Sequence, residues 1–98
     1  MRQIEPAVID DAMLRAAVTT QGPQGEAGAV VAKDGGIPYG TVTELRLDSA
    51  SILKIENLWQ FTALTKLQMD SNMIEQITGL HMIHNLKWLD LSFNRFDN

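Results

Sequence analysis

The sequence predicts an α/β fold in which short parallel strands stack at a fixed period behind an N-terminal helical cap. Three observations lead there. Apolar residues between Val42 and Phe96 recur in steps of 22 without insertion or deletion. Residues 8–34 lack that period and read as two short amphipathic helices. An asparagine recurs at the end of the second and third strand positions, Asn72 and Asn94.

The period is the strongest of these. Leu45, Leu67 and Leu89 align, as do Leu47, Met69 and Leu91, and then Ile52, Ile74 and Phe96. Ile55 matches Ile77, Leu58 matches Leu80, Phe61 matches Ile83, and Leu64 matches Leu86. A unit of this length, one strand plus a helical or irregular return, is the signature of a leucine-rich repeat, whose units stack into a solenoid. The clearest copies run from Leu64 to Ile74 and from Leu86 to Phe96.

Composition bounds the rest. The 98 residues are enough for one domain, and 45% are apolar. Twelve acidic against eight basic residues give a net charge of −4. That argues against nucleic acid or an anionic membrane as the main partner, because both select a basic face. Without cysteine there are no disulfides and no thiolate metal sites, which fits a reducing compartment. The first residues carry no apolar run of the kind a secretory signal needs, and no stretch is long enough to span a bilayer. A cytoplasmic protein is the simplest expectation.

Along the chain, residues 1–7 read as a polar lead-in, ordered only by a partner. A cap is expected over 8–41. Its first helix is expected from Val8 to Thr19, with Asp10 and Asp11 in the first turn, where negative charge suits the helix dipole. Ile9, Met13, Ala16 or Ala17, and Leu14 with Val18 supply a buried stripe. A second helix is expected from Pro23 or Gln24 to Lys33, with proline at its start and Gly35 past its end. Together they form a helical hairpin, which would cover the bare face of the first repeat. Gly36 to Gly40 turns into the array, with Tyr39 standing 22 residues before Phe61. Residues 42–98 are expected to form about two and a half units. Their strands are expected at Thr43–Asp48, Thr65–Asp70 and Lys87–Ser92, paired in parallel because each follows a same-direction crossover. Apolar residues every third position in the returns suit 3₁₀ turns. The Asn72 and Asn94 amides are expected to bond backbone groups at the strand-to-return bend, with Ala50 marking a degenerate first unit. The third unit has no return segment after it in these residues. Its apolar face is therefore expected to be open, covered by more repeats or by another chain.

No catalytic constellation is present, and no cofactor or metal is expected. Gly22-Pro23-Gln24-Gly25 is not a phosphate loop, since Pro23 lacks a donor amide. His81 and His84 fall outside the apolar frame and read as surface residues. A binding surface is the better prospect. Variable strand positions give three rows: Glu44, Lys66, Trp88; Arg46, Gln68, Asp90; and Asp48, Asp70, Ser92. Glu44 and Lys66 are expected to pair across strands, and Asp48 and Asp70 to repel. Trp88 is the sharpest candidate for partner contact, because tryptophan is over-represented at interface hot spots. Its alternative is local stacking with Lys66. Phe93, at the rim, and Trp59, expected half-buried on the return side, are weaker candidates.

The 22-residue pattern resembles the class of intracellular repeats typified by the regulator of protein phosphatase 1. A closer resemblance rests on I-D-D-A-M-L-R-A-A-V at the N-terminal helix, Q-G-P-Q-G-E-A-G at 21–28, I-L-K-I-E-N-L-W-Q-F at 52–61 and W-L-D-L-S-F-N at 88–94. These are similar to the N-terminal part of the leucine-rich-repeat subunit-three family of the nexin–dynein regulatory complex. That resemblance implies a non-catalytic protein of motile cilia and flagella, located in the axonemal cytoskeleton. It would help link doublet microtubules and regulate dynein-driven motility. Partners implied are the coiled-coil subunits of the same large hetero-complex, with microtubules reached indirectly. It also implies further repeats followed by coiled coil. The phosphatase-regulator likeness leaves a second expectation, a cytosolic adaptor holding a phosphatase or another enzyme.

Overall fold

A computed structural model describes residues 5–21 and 36–96, the side chains of residues 20 and 21 excepted. The expected second helix lies outside the described residues. The rest is a small α/β arrangement of one α-helix and a three-stranded parallel sheet.

Helix α1 spans Asp11–Gln21, later than the expected Val8–Thr19. Asp10 explains the shift. It is the cap rather than a first-turn residue: its Oδ1 accepts from the Met13 N–H at 2.9 Å and its carbonyl from the Leu14 N–H at 3.0 Å. A side-chain oxygen there satisfies a donor that has no partner within the helix. Residues before it are extended. Ala7 bridges to Ile52 in parallel and donates its N–H to the Ser51 carbonyl at 2.7 Å. Ile9 is fully buried, and its carbonyl accepts from Asn57 Nδ2 at 2.7 Å. The lead-in is thus held by the chain itself from Ala7 onward. Leu14, Ala17 and Val18 are the buried stripe of α1, which packs against the first strand. Met13 is only partly buried.

The sheet has β1 at Glu44–Arg46, β2 at Lys66–Gln68 and β3 at Trp88–Asp90, in that order. Glu44, Lys66 and Trp88 are register partners, as are Leu45, Leu67 and Leu89, and Arg46, Gln68 and Asp90. The 22-residue spacing in sequence is therefore the spacing between hydrogen-bonded neighbours. Regular strand is shorter than expected, because the backbone bends into the left-handed region at Ser49, Ser71 and Phe93, with φ of 51°, 59° and 57°. The hydrogen-bond ladder nonetheless runs past the strands. Leu47 and Ser49 donate to Gln68 and Asp70, and Met69 and Ser71 donate to Asp90 and Ser92.

On the return side a second file of bonds runs parallel to the sheet. Ala7 donates to Ser51, Met73 to Ile52, and Arg95 to Ile74. Below it, Tyr39 and Phe61 meet edge to face at 4.9 Å between ring centroids. The second return contains the expected 3₁₀ turn at Leu80–Met82.

Asn72 closes the bend between these two files. It is buried, and its Oδ1 accepts from the Ala50 and Ile52 N–H groups at 3.0 and 3.1 Å. Its Nδ2 donates to the carbonyls of Leu47, Met69 and Asp70. Asn94 repeats this one unit on, accepting from Ile74 and donating to Met69, Leu91 and Ser92. Each amide thereby ties its own unit to the one before. Burial follows the same direction. Leu45, Leu47, Ile52, Leu64, Leu67, Met69 and Ile74 are buried, whereas Leu86, Leu89, Leu91 and Phe96 are only partly so. Ile77, in register with the buried Ile55, is 57% exposed.

Replacing Asn72 by alanine strands several buried backbone groups and should cost on the order of 3 kcal/mol, more than Asn94→Ala. Urea unfolding of both variants checks the order. Gly79 is left-handed at φ 77°, and a Cβ there would collide with the Ile55 carbonyl oxygen. Gly79→Ala should therefore lower stability by roughly 1–3 kcal/mol in the same experiment.

Candidate functional site

Strand side chains alternate faces, so the residues between the buried leucines point to solvent together. Leu45, Leu67 and Leu89 turn inward, which leaves Glu44, Lys66, Trp88 and Arg46, Gln68, Asp90 side by side on the outer sheet face. The structure brings together two of the three rows read from the sequence as strand partners. Its local chemistry differs from the expectation in three places.

First, Lys66 does not pair with Glu44. Its Nζ lies 4.8 Å from the centroid of the Trp88 ring. The aromatic face attracts a cation and shields its stem, which at an exposed site is worth roughly 0.5–1 kcal/mol. Trp88 keeps 44% of its surface exposed beside that contact.

Second, Asp48 and Asp70 are each compensated locally instead of repelling. Arg46 Nε lies 3.7 Å from Asp48 Oδ1. Gln68 Nε2 and Ser71 Oγ donate to the two Asp70 oxygens at 3.0 and 3.1 Å. Asp90 is served likewise by Ser92, whose hydroxyl and backbone N–H both donate to Oδ1 at 2.6 and 3.0 Å. The hydroxyl bond and then the backbone bond hold the Asp90 carboxyl below the usual aspartate value of 3.8. Charge-assisted acceptors stabilise the ionised form.

Third, Trp59 sits further out than expected. Trp59 is 57% exposed rather than half-buried, because Leu58 takes the inward position next to it. Phe93 is 83% exposed. It occupies the left-handed position that serine fills at Ser49 and Ser71. That conformation crowds the Cβ and costs roughly 1–2 kcal/mol for a residue other than glycine. Sequence reasoning identified Phe93 as a rim residue but missed its backbone. The period does hold a signal: serine precedes the bend in two units and phenylalanine in the third.

His81 and His84 are both exposed. Among the described residues no group of three or more histidines and carboxylates lies close enough to hold a metal ion. Two shallow depressions on the return side share Leu53 and Lys54. One, of about 350 Å³, adds Glu75, Gln76 and Thr78; the other, of about 240 Å³, adds Pro6, Ala7, Val8 and Glu56.

No family model matches the chain. Among curated proteins it is similar to dynein regulatory complex subunit 3 of the mouse, 57% identical over 58 residues, which is 59% of this chain and 11% of that protein. Against the rat protein of the same name it is 54% identical over 63 residues, 64% of this chain and 12% of the relative. Against the human one it is 55% identical over 58 residues, 59% and 11%. The chain spans about a tenth of the length of these relatives. The resemblance read from the residues and these matches agree.

Because its folded value is depressed, Asp90 adds stability above its unfolded value, and that contribution is lost as pH falls through the folded one. A carbon-detected NMR titration should place the Asp90 midpoint below 3.8, with Ser92→Ala bringing it back up.

Proposed function

We propose that this chain is a non-catalytic protein–protein interaction scaffold, part of a subunit of the nexin–dynein regulatory complex of motile cilia and flagella. The observation that carries this reading is the 54–57% identity to proteins named dynein regulatory complex subunit 3. The geometry supports the kind of work. A sheet face set by backbone register presents Trp88 half-exposed among charged and amide side chains. A rigid platform carrying a few exposed aromatics is how many interfaces concentrate their binding energy.

In this reading the strands open a leucine-rich-repeat solenoid, α1 belongs to its N-terminal cap, and the rows lie on its concave side. The partly buried Leu86, Leu89, Leu91 and Phe96 receive a further unit or another chain, as each unit's apolar frame does upstream. Coiled-coil subunits of the complex dock on the concave rows. Doublet microtubules are reached through them, and the scaffold helps restrain dynein-driven sliding within the axonemal cytoskeleton.

A photo-crosslinking residue in place of Gln68 or Trp88, introduced into the protein in axonemes, should capture other subunits of the complex. Capture of nothing at either position, or recovery of the protein in a soluble phosphatase complex after mild extraction, would sink the reading.

A further inference from the structure

Phe93 carries a backbone penalty that no burial among the described residues offsets. Its repeat equivalents, Ser49 and Ser71, share its left-handed φ, and a small polar residue tolerates that region far better than a bulky one. Apolar residues are common on surfaces, but this one is 83% exposed at a conformation that serine fills in the units before it. The bend shared by the three units imposes this backbone state, and residues strained in such a state cluster at functional sites.

Its neighbourhood indicates the function. Trp88 stands five residues earlier, on β3, half-exposed, with its ring already engaging a cation. The outer sheet face carries four carboxylates, Glu44, Asp48, Asp70 and Asp90, against two cations, Arg46 and Lys66. Arg46 is committed to Asp48, and Lys66 to Trp88. Among the described residues Glu44, Asp70 and Asp90 have no cationic partner, although hydrogen bonds hold Asp70 and Asp90 in place. Exposed Trp88 and Phe93 on a face whose carboxylates mostly lack a cationic partner fit a segment with an apolar anchor between basic residues. An acidic or neutral one would lose that pairing.

The geometry points to Phe93 as a partner anchor that, with Trp88, seats a basic, apolar-bearing segment of another protein on this end of the sheet face. The inference rests on the docking role proposed above and adds the partner's chemistry. It also separates cost from use: the residue that strains the fold is the one the partner needs.

The test uses the intact protein and short synthetic peptides of equal apolar content in basic, neutral and acidic sets. The basic set should bind, and more weakly as salt rises. Phe93→Ser, which restores the residue of the other two units, should weaken that binding by about tenfold or more, while leaving Tm unchanged or raising it. Asp70→Asn with Asp90→Asn should flatten the salt dependence. A lower Tm for Phe93→Ser would overturn the inference, since the ring would then be packed within the molecule or under a following unit. Equal binding of all three peptide sets would also overturn it, as would a concentration-dependent dimer that Phe93→Ser abolishes. Crosslinks at Trp88 that survive Phe93→Ser undiminished would remove the anchor but leave the docking role standing. A lack of any crosslink at both Gln68 and Trp88 removes the docking role itself.

Discussion

Everything else in this chain depends on how the backbone is satisfied where strand gives way to return. At that bend the chain leaves one ladder before joining the other, and its polar groups are enclosed by apolar side chains. An unpaired buried amide or carbonyl there costs as much as a lost hydrogen bond. Asn72 removes the problem with one side chain that accepts twice and donates three ways. Because its contacts reach Leu47, Ala50 and Ile52, the same amide also fixes the spacing between units. The 22-residue register is thus a polar constraint as much as an apolar one. Leu67 and Met69 can pack against Leu45 and Leu47 only at the distance that the amide and the parallel ladder allow.

That division explains what was legible in the sequence. Apolar period and asparagine position are both carried by residue type, so the register, the parallel pairing and the buried frame could be read directly. Left-handed bends are not carried that way. Serine and phenylalanine do not ordinarily mark a left-handed bend, yet Ser49, Ser71 and Phe93 share one, so the regular strands end earlier than residue type suggests. The start of α1 was misplaced for a similar reason. Two adjacent aspartates both suit a helix start, and only the observed bond from Met13 to Asp10 shows which of them is the cap. The extended run through Ala7 had no periodic signal, since it contributes one rung to a ladder whose other members lie far along the chain.

The outer face was half legible. Its rows follow from period and alternation, but the partners within a row do not. Lys66 had a carboxylate on one side and an indole on the other, and chose the indole. An exposed ion pair gains little over water, whereas the ring also covers the methylene stem. The aspartates, expected to oppose each other, were each answered by a neighbour one or two residues away. An ion pair at Asp48 and short-range hydrogen bonds at Asp70 thereby give each carboxylate a local partner that row arithmetic alone does not show.

The extended segment ahead of α1 has a mechanical consequence. It is attached to the array by the Ala7 bond to Ser51 and the Asn57 bond to Ile9, which lie in sequence along its length. Tension applied at the N-terminus loads these one after the other, as a zip is opened. Tension drawn along the strands of the sheet loads the ladder bonds together, in shear. Under load such an arrangement would yield first at its N-terminal edge and leave the stacked register intact.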